Sequence, residues 1–295
     1  MTEKSVLRIA ALADIHCRKT SAGEFQQMFK EAAQSADVIL MAGDLTDNGT
    51  AEEAHVLVKE MATPVKVPIF AVLGNHDYQS DKHEEVDQIL TDAGINVLNG
   101  ESVEIFGVGF AGTKGFAGGF GASMLGPWGE PAIKAFVHEA VEEALKLEAA
   151  LARLHTPIRV AMTHYSPIQA TVEGERREIF SFLGSSRLEE PINRHGVKVV
   201  FHGHAHVGTL EGRTSTGIPV YNVALPLLRA RMQNQPRFRL YELDLSELAQ
   251  LPEKPPEPAV DHAYAAEPLV ETHADPGQLH VTSLTAGETH ISRTP

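Results

Sequence analysis

The sequence predicts an α/β fold assembled from βαβ units, and three observations carry that prediction. Short apolar runs alternate with helix-like segments about every thirty residues. Turn and capping residues separate the two kinds of segment. The first three apolar runs each end in a polar cluster: Asp14-Ile15-His16, Gly43-Asp44-Leu45-Thr46-Asp47 and Gly74-Asn75-His76-Asp77. In such folds, chemically active side chains gather at the carboxyl ends of strands.

Val6–Ala13 reads as the first strand, with Asp14 and His16 at its end. In extended backbone, residues two apart point to one side, so both could reach one metal. Ser21 with Glu24 forms a capping-box pattern for a helix to about Ser35, and Thr50 with Glu53 repeats it for one to about Met61. Between them Asp37–Ala42 is a buried strand, and Pro68–Leu73 is the third. Asp81 with Glu84 opens a helix to about Ala93.

Ile95–Leu98 and Ser102–Phe110 read as strands pairing antiparallel about an Asn99-Gly100 turn. The glycine-rich segment Gly112–Gly129 is either a surface loop or a wall beside the substrate. Pro131 starts a long helix to about Leu154, whose acidic positions suit a solvated face.

Pro157–Met162 is a strand delivering Thr163-His164. The loop after it carries Arg176 and Arg177, which either contact a phosphate or are solvated. Ser186 with Glu189 opens a short helix. Val197–His202 leads into Gly203-His204-Ala205-His206, and Ile218–Val223 and Arg237–Leu243 are strands of the second half of the sheet. The composition then changes, which divides the chain into a domain over residues 1–250 and a Pro-rich, acidic tail over 251–295. The tail histidines His262, His273, His280 and His290 lack ligand spacing.

A formal net charge of -14 disfavours nucleic acid as the main partner, because a polyanion is repelled. No apolar run reaches the about 18 residues of a membrane span. Cys17 is the sole cysteine, which fits a reducing, cytoplasmic setting. It reads as a small buried residue in preference to a ligand. A homo-oligomer is compatible with the sequence.

Asp14, His16, Asp44, Asn75, His164, His204 and His206 together supply imidazole, carboxylate and amide donors. That mixture suits divalent transition metals, and Mn, Fe, Co and Zn are all accepted by it. Seven donors serve two sites of four ligands if one carboxylate bridges, and Asp44 is the natural bridge. Each cluster alone is a weak signal; five in order at strand ends are a strong one.

The order Asp-x-His, Gly-Asp-x-x-Asp, Gly-Asn-His-Asp, His, Gly-His-x-His resembles the calcineurin-like metallophosphoesterase superfamily from Asp14 to His206. The resemblance implies a four-layer αββα sandwich of two mixed sheets flanked by helices, with a dinuclear centre at the strand ends. It implies that Asp14, His16, Asp44 and His206 hold one metal, and Asp44, Asn75, His164 and His204 the other. His76 would stand beside the substrate, with Asp77 orienting it; Asp47 is either a supporting residue or the start of a turn. The implied reaction is in-line attack of a metal-bridging hydroxide on a small phosphate ester, the metals lowering the pKa of water from about 15.7 towards about 7.

Asn48 and Asp77 stand where phosphoprotein phosphatases carry arginine and glutamate, so the sequence is closer to the cyclic-nucleotide and glycerol phosphodiesterase branch. Tyr165 replaces the second histidine common in that branch, which leaves the substrate at a small phosphodiester or another small organic phosphate. A nuclease or phosphomonoesterase of the same superfamily, and a metal-binding scaffold without catalysis, are the alternatives.

Overall fold

Residues 5–61, 65–233, 235–246 and 248 are described by a computed structural model. The strands are β1 (Val6–Leu12), β2 (Val38–Ala42), β3 (Ile69–Val72), β4 (Asn96–Val97), β5 (Glu101–Ile105), β6 (Val108–Thr113), β7 (Ile158–Thr163), β8 (Val199–His202), β9 (Glu211–Arg213), β10 (Pro219–Asn222) and β11 (Arg239–Asp244). The helices are α1 (Gln26–Ser35), α2 (Ala51–Met61), α3 (His83–Asp92), α4 (Pro131–Ala152), α5 (Phe180–Leu183), α6 (Glu189–Arg194) and α7 (Leu225–Arg231). The Pro-rich tail expected after residue 250 lies outside the described residues.

Two mixed sheets form, in the orders β11-β1-β2-β3-β4 and β5-β6-β7-β8-β10-β9. Within the first, β1 to β4 run parallel and β11 returns antiparallel to β1. In the second, β6, β7, β8 and β10 are parallel, with antiparallel strands at both edges.

Alternation along the strands explains the layering. Leu7, Ile9 and Ala11 of β1 point into a core shared with Val108, Phe110, Val160 and Phe201 of the other sheet. Ala10 and Leu12 face the opposite way, packing with Phe29 of α1, Leu57 of α2 and Leu90 of α3. Phe70 and Phe110 stack across the sheet interface with centroids 5.0 Å apart. Leu147 and Leu151 of α4 and Ile192 of α6 cover the outer face of the second sheet with Ala161 and Val200. Strands buried on both faces read as continuous apolar runs, as β2 does with all five residues buried. The result is the four-layer αββα sandwich. No helix among the described residues is long and apolar enough to cross a membrane.

Several local expectations are corrected. The antiparallel hairpin turns at Phe106-Gly107, both at positive φ, and not at Asn99-Gly100. The 95–98 segment instead adds β4 in parallel to β3. β11 joins the first sheet, not the second half, because pairing beside β1 covers an otherwise open edge. Ser21 does not cap α1, which starts at Gln26; its hydroxyl accepts from Arg18 N. The cap comes from α2, where Glu60 accepts from Gly23 N at 2.6 Å and Phe25 N at 2.7 Å. Asp81 and Ser186 likewise leave α3 and α6 without a side-chain cap. Only Thr50–Glu53 forms in part: Glu53 accepts from Thr50 N at 3.4 Å, while the Thr50 hydroxyl has no partner.

Glu143 of α4, expected on a solvated face, is buried. It accepts from Thr113 Oγ1 at 2.6 Å and Gly115 N at 2.8 Å. Between them, the Lys114 carbonyl accepts from His164 N. The long helix thereby braces the backbone under His164.

Candidate metal centre

The seven candidate donors leave the ends of β1, β2, β3, β7 and β8, so both sheets contribute. Left-handed backbone turns them together. Asp14, His16, Asp44 and His204 have φ of 55°, 46°, 49° and 69°, against the usual preference of L-residues. Asp14 and His16 therefore do not share a face of an extended strand, as the spacing suggested; β1 has ended at Leu12, and a turn aims both inward.

Close packing between clusters requires glycine in these motifs. A Cβ on Gly74 would lie 2.2 Å from Asp44 Oδ1, and one on Gly203 would lie 2.3 Å from Asp14 Oδ2. Gly74 and Gly203 thus leave the space into which the carboxylate of another motif fits, and Gly43, where a Cβ would lie 2.4 Å from His164 Nδ1, leaves space for an imidazole.

Among the described residues, three donor groups each lie within 4.8 Å: Asp14, His16 and His206; Asp44, His164 and His204; and His16, Asp47 and His76. His206 Nε2 is 2.8 Å from Asp14 Oδ1. His164 Nε2 is 3.0 Å from Asn75 Oδ1 and 3.3 Å from Asp44 Oδ1, while Asp44 Oδ2 is 3.7 Å from His16 Nε2. Asp44 therefore stands between the two sets. These separations match neighbouring ligands around a cation bound at about 2.0–2.2 Å.

The carbonyls behind the imidazoles fix their tautomers, since a carbonyl only accepts. His164 Nδ1 donates to Ala42 O at 2.9 Å, which turns Nε2 towards Asp44 and Asn75. His204 Nε2 donates to Phe182 O at 3.1 Å, keeping the Nδ1 lone pair for a ligand. His16 Nε2 is buried with no hydrogen-bond partner. An orphaned imidazole nitrogen facing a carboxylate is costly unless a cation is bound there, and the borderline donor set suits a divalent transition metal.

Electrostatics agree. Burial alone would keep His164 neutral, but the Asp44 carboxylate overrides it and lifts the imidazole to about 9. Asp44, despite burial, is held well below the usual carboxylate range by His164. A proton thus sits where a cation would bind. Burial and the neighbouring His164 lower His204 to about 4, leaving it neutral and ready to ligate.

His76 belongs to this site but not as expected. Its Nδ1 donates to the Asp47 carbonyl at 2.7 Å. Asp77 is fully buried and accepts from Leu45 N, Thr46 N, Thr46 Oγ1 and Gly74 N at 2.6–3.1 Å. It fastens the loops after β2 and β3 together and does not orient the His76 ring. Burial and Asp44 raise Asp77 to about 6, although its four donors favour the ionised form.

A cleft of about 480 Å³ opens beside the donors, lined by Asp14, His16, Asp47, His76 and His206 among others. Arg176, Arg177 and the Gly112–Gly129 segment do not line it; Phe116 of that segment packs on Phe136 and Tyr165. Arg18 and Arg229 do line it, though neither is among the residues expected from the sequence. Arg18 is two residues beyond His16, which was a usable signal; Arg229, on α7, had none. Cys17 is buried and joins no donor group, and burial pushes its thiol up to about 12.

Residues 7–208 match the calcineurin-like phosphoesterase family. Over 111 residues the chain is 32% identical to the 3',5'-cyclic adenosine monophosphate phosphodiesterase CpdA of Haemophilus influenzae, covering 34% of this chain and 40% of that one. Over 52 residues it is 38% identical to a probable glycerophosphodiester phosphodiesterase GpdQ of Arcobacter nitrofigilis, covering 18% and 19%. The chain thus spans less than half of either relative. In fold it is similar to phosphopantetheinyl hydrolase (PptH) from Mycobacterium tuberculosis, with a TM-score of 0.57 at 15% identity over 80% of this chain and 96% of that one.

Proposed function

The chain belongs to the calcineurin-like phosphoesterase family, and we propose that it is a metal-dependent phosphodiesterase acting on small molecules. The observation that carries this reading is Asp44, set between two groups of donors from both sheets. In this reading Asp14, His16, Asp44 and His206 hold one divalent cation, and Asp44, Asn75, His164 and His204 hold a second, with Mn, Fe, Zn or Co all compatible. Such a pair would supply Lewis-acid polarisation of the phosphoryl oxygens and activation of a water nucleophile.

The side chains do the rest. Asp14 and Asp44 offset two of the four positive charges of such a pair, leaving the centre attractive to an anionic diester. His76, its Nδ1–H tied to the Asp47 carbonyl, acts as the imidazolium, whose second N–H, at Nε2, passes its proton to the leaving oxygen and leaves the neutral ring. Asp77 is a positioning residue, holding the Asp44 and His76 loops in register. A cleft of about 480 Å³ is of small-molecule size. The relatives named for cyclic-nucleotide and glycerophosphodiester hydrolysis support a diester substrate, and the lone buried Cys17 is consistent with a reducing, cytoplasmic setting.

The purified full-length chain, supplied with Mn²⁺, should hydrolyse bis(p-nitrophenyl) phosphate, lose activity with chelator and regain it with metal. Asp44→Ala should abolish both metal content and turnover. Turnover of phosphomonoesters or single-stranded DNA in place of diesters would displace the diesterase reading, and inertness with Mn²⁺, Fe²⁺, Co²⁺ and Zn²⁺ would end it.

A further inference from the structure

Two guanidinium groups border the cleft, one on the segment that also carries Asp14 and His16 and one on a helix that carries no donor. Arg18 comes from the segment before α1, and Arg229 from α7. Arg18 Nε donates to Asp47 Oδ2 at 3.0 Å, and Asp47 Oδ1 is 3.4 Å from His16 Nδ1. The guanidinium is therefore oriented by a carboxylate that itself touches a candidate ligand. Nε accounts for its only hydrogen bond among the described residues, so the four N–H groups of Nη1 and Nη2 remain for a ligand. Arg229 makes a 3.8 Å ion contact with Glu24, too long to use its donors.

The cleft extends from Asp14, His16 and His206 to α7, a span with room for more than one phosphate. A planar fork of N–H donors matches phosphate and carboxylate oxygens, which neither Phe25 nor Leu225 beside it can do. We propose that Arg18 and Arg229 grip a second anionic group, a phosphate or a carboxylate, at the end of the substrate remote from the scissile phosphorus. The substrate class is then a small phosphodiester with an anionic pendant group. A simple 3',5'-cyclic nucleotide, with one phosphate, leaves both arginines unused. This inference rests on the diesterase reading.

Three p-nitrophenyl phosphodiesters test it, with 3-(phosphonooxy)propyl, 3-carboxypropyl and propyl as the second ester group, on the Mn²⁺-loaded full chain. The two anionic esters should exceed the propyl ester in kcat/KM by at least about tenfold, chiefly through KM. The larger gain of the two identifies the pendant group. Arg229→Gln and Arg18→Gln should each pull that ratio towards one, and Arg229→Lys should restore part of it. A ratio near one in the wild type, or a ratio unchanged in both glutamine variants, overturns the clamp and leaves the diesterase reading intact.

Binding supplies a readout independent of turnover. By calorimetry, propane-1,3-diyl bisphosphate should bind at least about tenfold more tightly than propyl phosphate, and Arg229→Gln should remove that advantage. If no ester is cleaved while the binding advantage holds, the diesterase reading falls and the clamp stands. No advantage in binding overturns the clamp.

Discussion

Imidazole orientation at this site is decided one atom at a time by backbone carbonyls. Ala42, Phe182 and Asp47 each take one ring N–H, of His164, His204 and His76 respectively. The first two carbonyls leave a nitrogen for a cation, and the third leaves Nε2 of His76 for the substrate. His76→Ala should accordingly retain its metals, measured by elemental analysis, while kcat falls about 10²–10⁴-fold. Loss of metal in that variant would assign His76 to ligation instead. The donor types were legible because Asp, His and Asn beside glycine at strand ends have few other uses in such numbers. What Asp77 does was not legible. Its neighbour in sequence is His76, but a fully buried carboxylate goes where backbone N–H groups need an acceptor, and those belong to Leu45, Thr46 and Gly74. Arg18 and Arg229 escaped for a related reason: an arginine is common on any surface, and only the fold brings α7 to the cleft.

Among the elements, strands were easier to read than helix starts. β1, β2, β3, β7 and β8 are apolar because both faces are covered, and their ends followed from the polar clusters. Caps depend on what another element offers. Glu60, from the last turns of α2, holds the N–H groups that open α1, so no local Ser–Glu pattern could reveal it. Glu60→Ala should destabilise the protein by about 2 kcal/mol in urea unfolding, since it strips the acceptor from the buried Phe25 N–H. Glu60→Gln, retaining one acceptor oxygen, should recover part of that loss. The hairpin at Phe106-Gly107 was hidden because the sequence offers the more conventional Asn99-Gly100 nearby. There the chain leaves β4 in one sheet to begin β5 in the other. Glu143 was misjudged for want of the same long-range information, since the loop it braces lies 28 to 30 residues away.

Across the whole molecule, the two sheets meet at the donor cluster, and their shared burial governs stability against acid. His202, fully buried at the end of β8, bonds to Thr171 Oγ1 and to the Gly203 carbonyl. Burial lowers it to about 4 from its usual 6.5. Below pH 6.5 the unfolded chain takes up a proton at His202 that the folded one refuses, so this residue's share of the stability is lost between about pH 6.5 and 4 and is constant above that window. The loss traceable to His202 should approach about 3 kcal/mol in chelated protein. His202→Gln should flatten the dependence by close to one proton; an unchanged slope would place the titration elsewhere. The two-layered sheet architecture followed from family resemblance and not from apolar periodicity, because a strand buried on both faces looks alike in one sheet or two. The left-handed backbone at Asp14, His16, Asp44 and His204 has a final consequence. Each such turn costs on the order of 1 kcal/mol in a residue with a side chain, so the chain carries tension that its core does not require. Under selection for heat endurance alone, His16 would be among the first positions to drift. Glycine there relaxes the turn and discards a ring nitrogen that has no hydrogen-bond partner. A lineage hardened in that way would keep its shape and lose one of the donors grouped with Asp14 and His206.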